Sequence, residues 1–261
     1  MPVPIYPGKH ALPALFQPAD YPDHVAYVGL QGQPVDWMPE RAILVYSQAL
    51  LRQVTERYKG HGRVRPGFVT YRELEVSTGT VAVVGGFGVG GPAAAITLEE
   101  IIAAGVRQAI SVGGAGGLQP GQQVGDLVVC SSAIRDEGVS YHYLPPDDRS
   151  VEPDHDLTAR LLDAVFQLEE RVAFGSTWTT DALYRETRDE VRHYGAEGVL
   201  TVEMEAASLA AVALHRGIAF AAAFSIMDLL AGDAWEPDGF GHPFALVGLN
   251  TLFDAAVAAM A

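Results

Sequence analysis

Hydrophobic positions along this chain fall into short apolar runs that alternate with glycine clusters and with stretches of helical spacing. Val81-Ala82-Val83-Val84 is one run; Gly85-Gly86-Phe87-Gly88-Val89-Gly90-Gly91-Pro92 follows it, and an Ala/Ile/Leu-rich helical pattern extends from Ala93 to Ala104. After Gly105, Val106-Arg107-Gln108-Ala109-Ile110-Ser111-Val112 predicts a second strand, and Gly113-Gly114-Ala115-Gly116-Gly117-Leu118 a second glycine loop. Phe220 to Met227 is a further apolar run with the character of an interior strand. Short strands alternating with helices predict an α/β fold with a largely parallel sheet and helices on its faces. Ligands in such folds sit beyond the carboxyl ends of the strands, which is where both glycine loops fall.

The pattern breaks most sharply at Val202-Glu203-Met204-Glu205-Ala206-Ala207, where two carboxylates open a run of small apolar residues that reads as a buried helix. Residues two apart on a helix project roughly 200° apart, so Glu203 and Glu205 do not both face solvent while Met204 and Leu209 face the core. Two readings follow. The glutamates cap the backbone donors of a helix start, or one of them points into a cleft where a carboxylate has a task. Asp228, directly after the Phe220 to Met227 run, poses the same choice: a cap for the next turn, or a carboxyl with a raised pKa suited to general-acid work.

The first glycine loop feeds a helix start, which suits close approach of backbone N–H groups to an anion or a sugar. Gly86, Gly88 and Gly91 fit the dinucleotide pattern G-x-G-x-x-G only loosely. Pro92 follows at once, and no acidic residue ends a second strand about 20 residues on.

Composition narrows the field. The chain has 261 residues, 49% of them hydrophobic, a formal net charge of −15 and a pI near 4.8. That size and apolar share fit one α/β domain over 1–261, with residues 1–40 as a Pro-rich N-terminal extension packed on it. The acidity argues against nucleic-acid binding, which needs clustered Lys and Arg, and Lys9 and Lys59 are the only lysines. Cys130 is the sole cysteine, so no intrachain disulfide forms, and a reducing cytoplasm is the simple expectation. The N-terminus lacks a signal-peptide pattern, and no apolar stretch outside the fold is long enough for a bilayer, so no membrane partner is expected. The histidines show neither His-x3-His nor His-Glu-x2-His spacing, and no metal is expected.

Taken together, Gly88-Val89-Gly90-Gly91-Pro92 with its helix ending in Glu99-Glu100, Gly113 to Pro120, Val124-Gly125-Asp126-Leu127-Val128-Val129 and the Glu-Met-Glu-Ala-Ala element resemble the purine/uridine phosphorylase family, which includes nucleosidases. The likeness runs from about residue 42 to 235. It implies a mixed, partly barrel-like sheet flanked by helices and cleavage of the N-glycosidic bond of a purine ribonucleoside, with inorganic phosphate as co-substrate and no cofactor. By this resemblance Glu205, with Met204 and Glu203, holds the ribose, and Asp228 protonates the leaving base. The segment containing Trp178, Thr179, Thr180 and Tyr184 occupies the family's base-binding stretch, to which Gly116 is added; Trp178 serves equally as core. His10 matches an early histidine that reaches the ribose from an adjacent subunit, which makes a homo-oligomer (dimer or hexamer) the implied assembly; a plain surface histidine is the other reading, and His142 is a second candidate at the pocket rim.

The nucleophile pocket would comprise Gly88, Gly90, Ser111, Gly113, Gly114, Ser47 and Arg52. Here the chain departs from the family. The N-terminal Gly-Asp-Pro-x-Arg is replaced by Tyr46-Ser47-Gln48-Ala49-Leu50-Leu51, the second arginine by Ser111, a threonine by Gly114 and a serine by Ala93. Arg52, or Arg63 or Arg65 from a neighbour, would have to compensate. Charge-assisted bonds to phosphate contribute about 1.5–3 kcal/mol each, so these losses raise hydrolysis by water, and a non-catalytic nucleoside binder, as alternatives.

Overall fold

The computed structural model describes residues 5–6, 9–18, 38–58, 70–76, 79–169, 171–232, 235–236 and 243–260. Among them, nine strands form one sheet: β1 (Arg41–Val45), β2 (Thr70–Val76), β3 (Gly79–Gly85), β4 (Gln108–Gly117), β5 (Leu127–Asp136), β6 (Ser150–Val151), β7 (Val172–Thr180), β8 (Thr201–Glu203) and β9 (Ala219–Leu229). The helices are α1 (Gln48–Arg57), α2 (Gly91–Ala103), the short α3 (Ser140–Tyr143), α4 (His155–Leu168), α5 (Arg188–Ala196), α6 (Ala206–Arg216) and α7 (Pro243–Ala259).

The sheet is mixed and part of it closes on itself. Its order is β2-β3-β1-β4-β8-β7-β5-β6, and β9 pairs with both β4 and β5, so β4, β8, β7, β5 and β9 form a ring. Closure depends on β4 serving three partners. Its first half, Gln108–Val112, runs parallel to β1; Gly116 and Gly117 pair with Val202 and Thr201 of β8; and β9 follows its other edge throughout.

That arrangement corrects one expectation. Gly113 to Gly117 are not a loop but the second half of β4. They are small because neighbours fill the space a side chain would need. A Cβ on Gly114 would lie 2.4 Å from Met227 Cγ, and one on Gly116 would lie 2.4 Å from Leu230 Cδ1 and 3.2 Å from Asp228 Oδ1. The first cluster is a true loop, in which Gly88 and Gly90 take φ of +94° and +95°, a region that L side chains disfavour. Gly90 then caps α2, with Pro92 in the first turn.

Strand side chains alternate between two apolar layers. Ala42, Leu44, Ala82, Val84 and Ala109 pack with Leu98 of α2 and with Leu209 and Val212 of α6. Ile43, Val45, Val81, Val83 and Ile110 face Leu50 of α1, Leu157 and Leu161 of α4, and Leu249, Leu252 and Phe253 of α7. Burial on both faces explains the unbroken apolar runs. Helix starts are fixed locally: Ser47 Oγ accepts from Leu50 N at 3.2 Å, Asp154 Oδ1 accepts from Leu157 N at 2.8 Å, and Thr187 and Glu190 form a reciprocal capping box on α5.

The loop-like stretch from Leu144 to Asp154 is pinned from within. Arg135 is buried and donates to the carbonyls of Leu144, Pro145 and Asp148 at 3.1, 2.7 and 3.0 Å, and β6 pairs with β5. Of the Pro-rich N-terminal segment, a 3-10 turn at Lys9–Ala11 lies against α3: Lys9 Nζ contacts His142 Nδ1 at 2.5 Å. No helix among the described residues is long and apolar enough to cross a membrane.

Candidate active site

The turn from β8 into α6 carries the two glutamates. Glu203 ends the strand and Glu205 occupies the N-cap position of α6, so neither belongs to the helix interior. Helical spacing required only that the two not both face solvent; in the structure both are buried, at 5% and 8% exposure. The physical reason is β8, which is sandwiched between β7 and β4 and delivers its last residue directly into the core.

The two carboxylates do different work. Glu203 Oε2 accepts from the backbone N–H groups of Glu205 and Ala206, each at 2.7 Å, and Oε1 accepts from Thr179 Oγ1 at 2.5 Å. It is the structural cap. Glu205 Oε1 reaches across to accept from Gly90 N at 2.5 Å, joining the α6 start to the first glycine loop. Burial raises the pKa of both, and the charge of Glu205 pushes Glu203 further in the same direction. Met204 lies beside them, its Cε 4.0 Å from where a Cβ on Gly90 would sit. Glu205 keeps acceptor capacity beyond its backbone partners, since a carboxylate offers about four lone-pair sites.

Around this turn, Asp181 Oδ2 accepts from Gly138 N at 2.8 Å, and Glu137 accepts from Ser208 Oγ at 2.6 Å. A Cβ on Gly91 would meet Ser208 Oγ at 2.4 Å and Asp181 Oδ1 at 3.4 Å, so the first turn of α2 abuts α6 only because glycine is there. Among the described residues, no group of three or more His, Cys, Asp or Glu side chains is arranged to hold a metal ion.

The residues expected at the nucleophile pocket have partners within the chain. Ser111 Oγ is 3.0 Å from Tyr46 Oη, and the Tyr46 ring stands edge-on to Phe87 at 5.2 Å. A Cβ on Gly113 would lie 3.2 Å from that ring, so Tyr46 occupies the floor that Gly113 leaves open. Burial raises the Tyr46 pKa well above its ordinary value, and the negative charges of Glu205 and Glu203 act in the same sense. Ser47 is committed to capping α1, and Arg52 is exposed on that helix. Gly88 and Gly90 lie in the first glycine loop. Arg63 and Arg65 lie outside the described residues.

A cavity of about 580 Å³ is bounded by the 3-10 turn Leu183–Arg185, the start of α5 and the end of β9. Asp228, Tyr184, Glu186, Arg188, Leu230 and Trp235 line it. Asp228 is 8% exposed, and its Oδ2 accepts from Trp235 Nε1 at 2.7 Å. Burial raises its pKa, and the bond from Trp235 only partly opposes that shift. Gly116 links the two ends of the site. It pairs with both Asp228 on β9 and Val202 on β8, the residue before Glu203.

Three expected base contacts are used elsewhere. Trp178 is 1% exposed, donates Nε1 to Asp136 Oδ2 at 2.9 Å and packs on Tyr194 at 4.6 Å, so it is core and unavailable for stacking. Thr179 holds Glu203 and accepts from Ala207 N at 3.0 Å, and Thr180 Oγ1 accepts from Ala182 N at 3.2 Å. Trp178 packs behind Val191 and Leu230, which line the cavity, and none of Trp178, Thr179 and Thr180 lines it itself. Tyr184 does line the cavity and is 95% exposed. Within its own chain, His10 Nε2 donates to Tyr141 O at 2.9 Å. Sequence reasoning assigned no role to Trp235 or Tyr46, neither of which sits in a recognisable motif, and reached Glu186 only as the end of the stretch that resembles the family's base-binding segment.

With a closed ring of strands, a buried carboxylate on a glycine loop and an acid facing a cavity, the comparison with known proteins is specific. A model of the phosphorylase superfamily matches residues 40–245. The chain belongs to that superfamily. Its curated relatives include a guanosine phosphorylase of Halorubrum lacusprofundi, 34% identical over 140 residues, which are 54% of this chain and 58% of the relative. They also include a uridine phosphorylase of Escherichia coli, 29% identical over 166 residues, which are 58% of this chain and 64% of the relative. The chain thus spans about three fifths of the length of these relatives. Among solved structures, a uridine phosphorylase from Vibrio fischeri superposes with a TM-score of 0.74 at 21% identity, covering 86% of this chain and 90% of the other, and thereby shares the fold.

Proposed function

We propose that this chain cleaves the N-glycosidic bond of a purine ribonucleoside, with Glu205 and Met204 holding the ribose and Asp228 protonating the base. The observation that carries this reading is a buried carboxyl fixed to the first glycine loop together with a second one, on the strand paired with Gly116, that opens into a cavity of about 580 Å³. An ionised Glu205 accepts the ribose hydroxyl donors and stabilises the positive charge that grows at the anomeric carbon as the bond stretches. The bond's electron pair leaves with the base nitrogen. A proton from Asp228, whose burial keeps it protonated above the usual carboxylate range, neutralises the departing anion.

The phosphorylase names of its relatives support phosphate as the nucleophile. Hydrolysis is the second reading, favoured by a specific observation: Tyr46 bonds Ser111 and covers Gly113, while Arg52 is exposed. The active unit in this proposal is a homo-oligomer in the cytoplasm, with no cofactor. The test is to incubate the purified protein with purine and pyrimidine ribonucleosides, with and without phosphate, and to separate the products. Ribose 1-phosphate formed only with phosphate supports phosphorolysis, and free ribose formed without phosphate supports hydrolysis. Absence of base release from every nucleoside overturns catalysis and leaves a nucleoside-binding protein.

A further inference from the structure

Tyr46 directly follows β1, at the carboxyl end of the parallel strands β3, β1 and β4, where α/β sheets hold their ligands. Three neighbours fix it. Its hydroxyl shares a hydrogen bond of 3.0 Å with that of Ser111 on β4, its ring stands edge-on to Phe87 in the first glycine loop, and Gly113 has no side chain to displace it. The same loop carries Gly90, whose N–H donates to Glu205, so one loop joins Tyr46 to the carboxylate proposed to hold the ribose. Ser111 is buried, whereas Tyr46 keeps part of its surface accessible. The two hydroxyls carry two protons and spend one on each other, which leaves one donor and spare lone pairs for a guest. Burial, then the negative charge of Glu205, raise the Tyr46 pKa well above its ordinary value, and Glu203 acts in the same sense, so the phenol is a donor and not a base.

We infer that Tyr46 and Ser111 hold the attacking group and select a neutral hydroxyl: ribose passes to water, or to a small alcohol offered in its place, and not to phosphate. The inference rests on the hydrolytic reading of nucleoside cleavage and names the residues that enforce it. A water or alcohol oxygen accepts the free proton of the pair and donates its own to a spare lone pair, so guest and host are both satisfied. Phosphate is an anion, and the buried carboxyls of Glu205 and Glu203 repel it in their ionised forms. The charge-assisted bonds that hold such an anion come from cations, which a phenol and a serine hydroxyl do not replace. In the step itself, the bond from C1′ to nitrogen breaks with its electron pair going to the base, which takes the proton of Asp228. The oxygen held by Tyr46 forms the new bond to C1′ and gives up its surplus proton to solvent, from which Asp228 is reprotonated.

The experiment offers adenosine, inosine and nitrophenyl riboside to the wild type, Tyr46→Phe and Ser111→Ala. Each reaction is run in phosphate-free buffer, with phosphate added and with methanol added. Ribose, ribose 1-phosphate and methyl riboside are quantified, and a thermal melt checks that each variant folds. The wild type is expected to form free ribose at one rate with or without phosphate, and methyl riboside as well once methanol is present. Tyr46→Phe keeps the ring against Phe87 and removes only the hydroxyl, so kcat is expected to fall about tenfold with KM held within about twofold, as for one lost hydrogen bond to the nucleophile. The ratio of methyl riboside to ribose is expected to rise, because water depends on that bond and methanol also packs through its methyl group. Ser111→Ala, which leaves the ring whole, is expected to move the ratio the same way; a purely structural Tyr46 leaves it alone. Ribose 1-phosphate formed only with phosphate, or folded variants that keep the wild-type kcat and product ratio, overturns the inference while nucleoside cleavage stands. A wild type that releases no leaving group from any of the three substrates overturns the cleavage reading and the inference with it.

Discussion

At the residue scale the site turns on carboxyls whose surroundings give them separate duties. In the proposed role Asp228 acts only while protonated, and burial raises its pKa so that the proton is retained to higher pH than on an ordinary carboxyl. The sign follows directly: cleavage of a purine nucleoside falls as pH rises through that raised pKa, because the acid loses the proton it must donate. A nitrophenyl riboside, whose leaving group needs no proton, lacks that limb. Asp228→Asn is expected to lower kcat/KM for purine nucleosides about 100-fold or more, within the usual range for losing a general acid. It is expected to leave the nitrophenyl substrate nearly unchanged, and parallel pH profiles in the two proteins measure both effects. Equal losses on the two substrates would remove the general-acid role. The residue pattern alone marked Asp228 and Glu205 because acidic residues beside apolar runs are costly to bury. It did not single out Glu186 within the stretch that resembles the family's base-binding segment, because a glutamate is ordinary in so polar a stretch.

At the element scale, the start of α6 depends on a side chain from another strand. Thr179 of β7 donates to Glu203 and accepts from Ala207 N, tying β7 to both β8 and the helix. Thr179→Val keeps the shape and removes both bonds, leaving a buried N–H and a buried carboxylate short of a partner. A loss of about 1–3 kcal/mol is expected, measured by chemical denaturation. Because Glu205 directly follows that cap, KM for the ribonucleoside should also rise. An unchanged KM in a destabilised variant would separate the cap from the sugar site. The helical reading of Glu203 and Glu205 fails at this scale for a plain reason: three strand residues, Thr201 to Glu203, are too few to show a period, and only their pairing with β4 and β7 makes them a strand. The second glycine cluster fails likewise. Glycines carry no strand signal, and the contacts that demand them, Met227 against Gly114 and Leu230 against Gly116, come from residues more than a hundred positions away.

At the scale of the whole molecule, the ring of β4, β8, β7, β5 and β9 supports the site, and α4 and α7 brace it from behind. Phe253 of α7 is fully buried against that layer, remote in sequence from every group at the site. Phe253→Ala is expected to cost about 3–5 kcal/mol, lowering the melting temperature while leaving the preference among bases as it is. A changed base preference would mean that the bracing layer and the cavity are coupled. The sequence by itself determined the α/β class, the apolar strands buried on both faces, the first glycine loop with its helix and the family, and it marked Glu205 and Asp228 as candidates. These are encoded in local composition and spacing, which physics reads over a few residues. Only the tertiary structure decided that the sheet closes, that Glu203 caps while Glu205 faces the loop, that Trp178 is core, that Tyr46 fills the floor over Gly113, and that Glu186 shares a cavity with Asp228. Each of those depends on which distant residues occupy the space beside a side chain, and in a close-packed interior that is settled by the assembled fold and by no single segment.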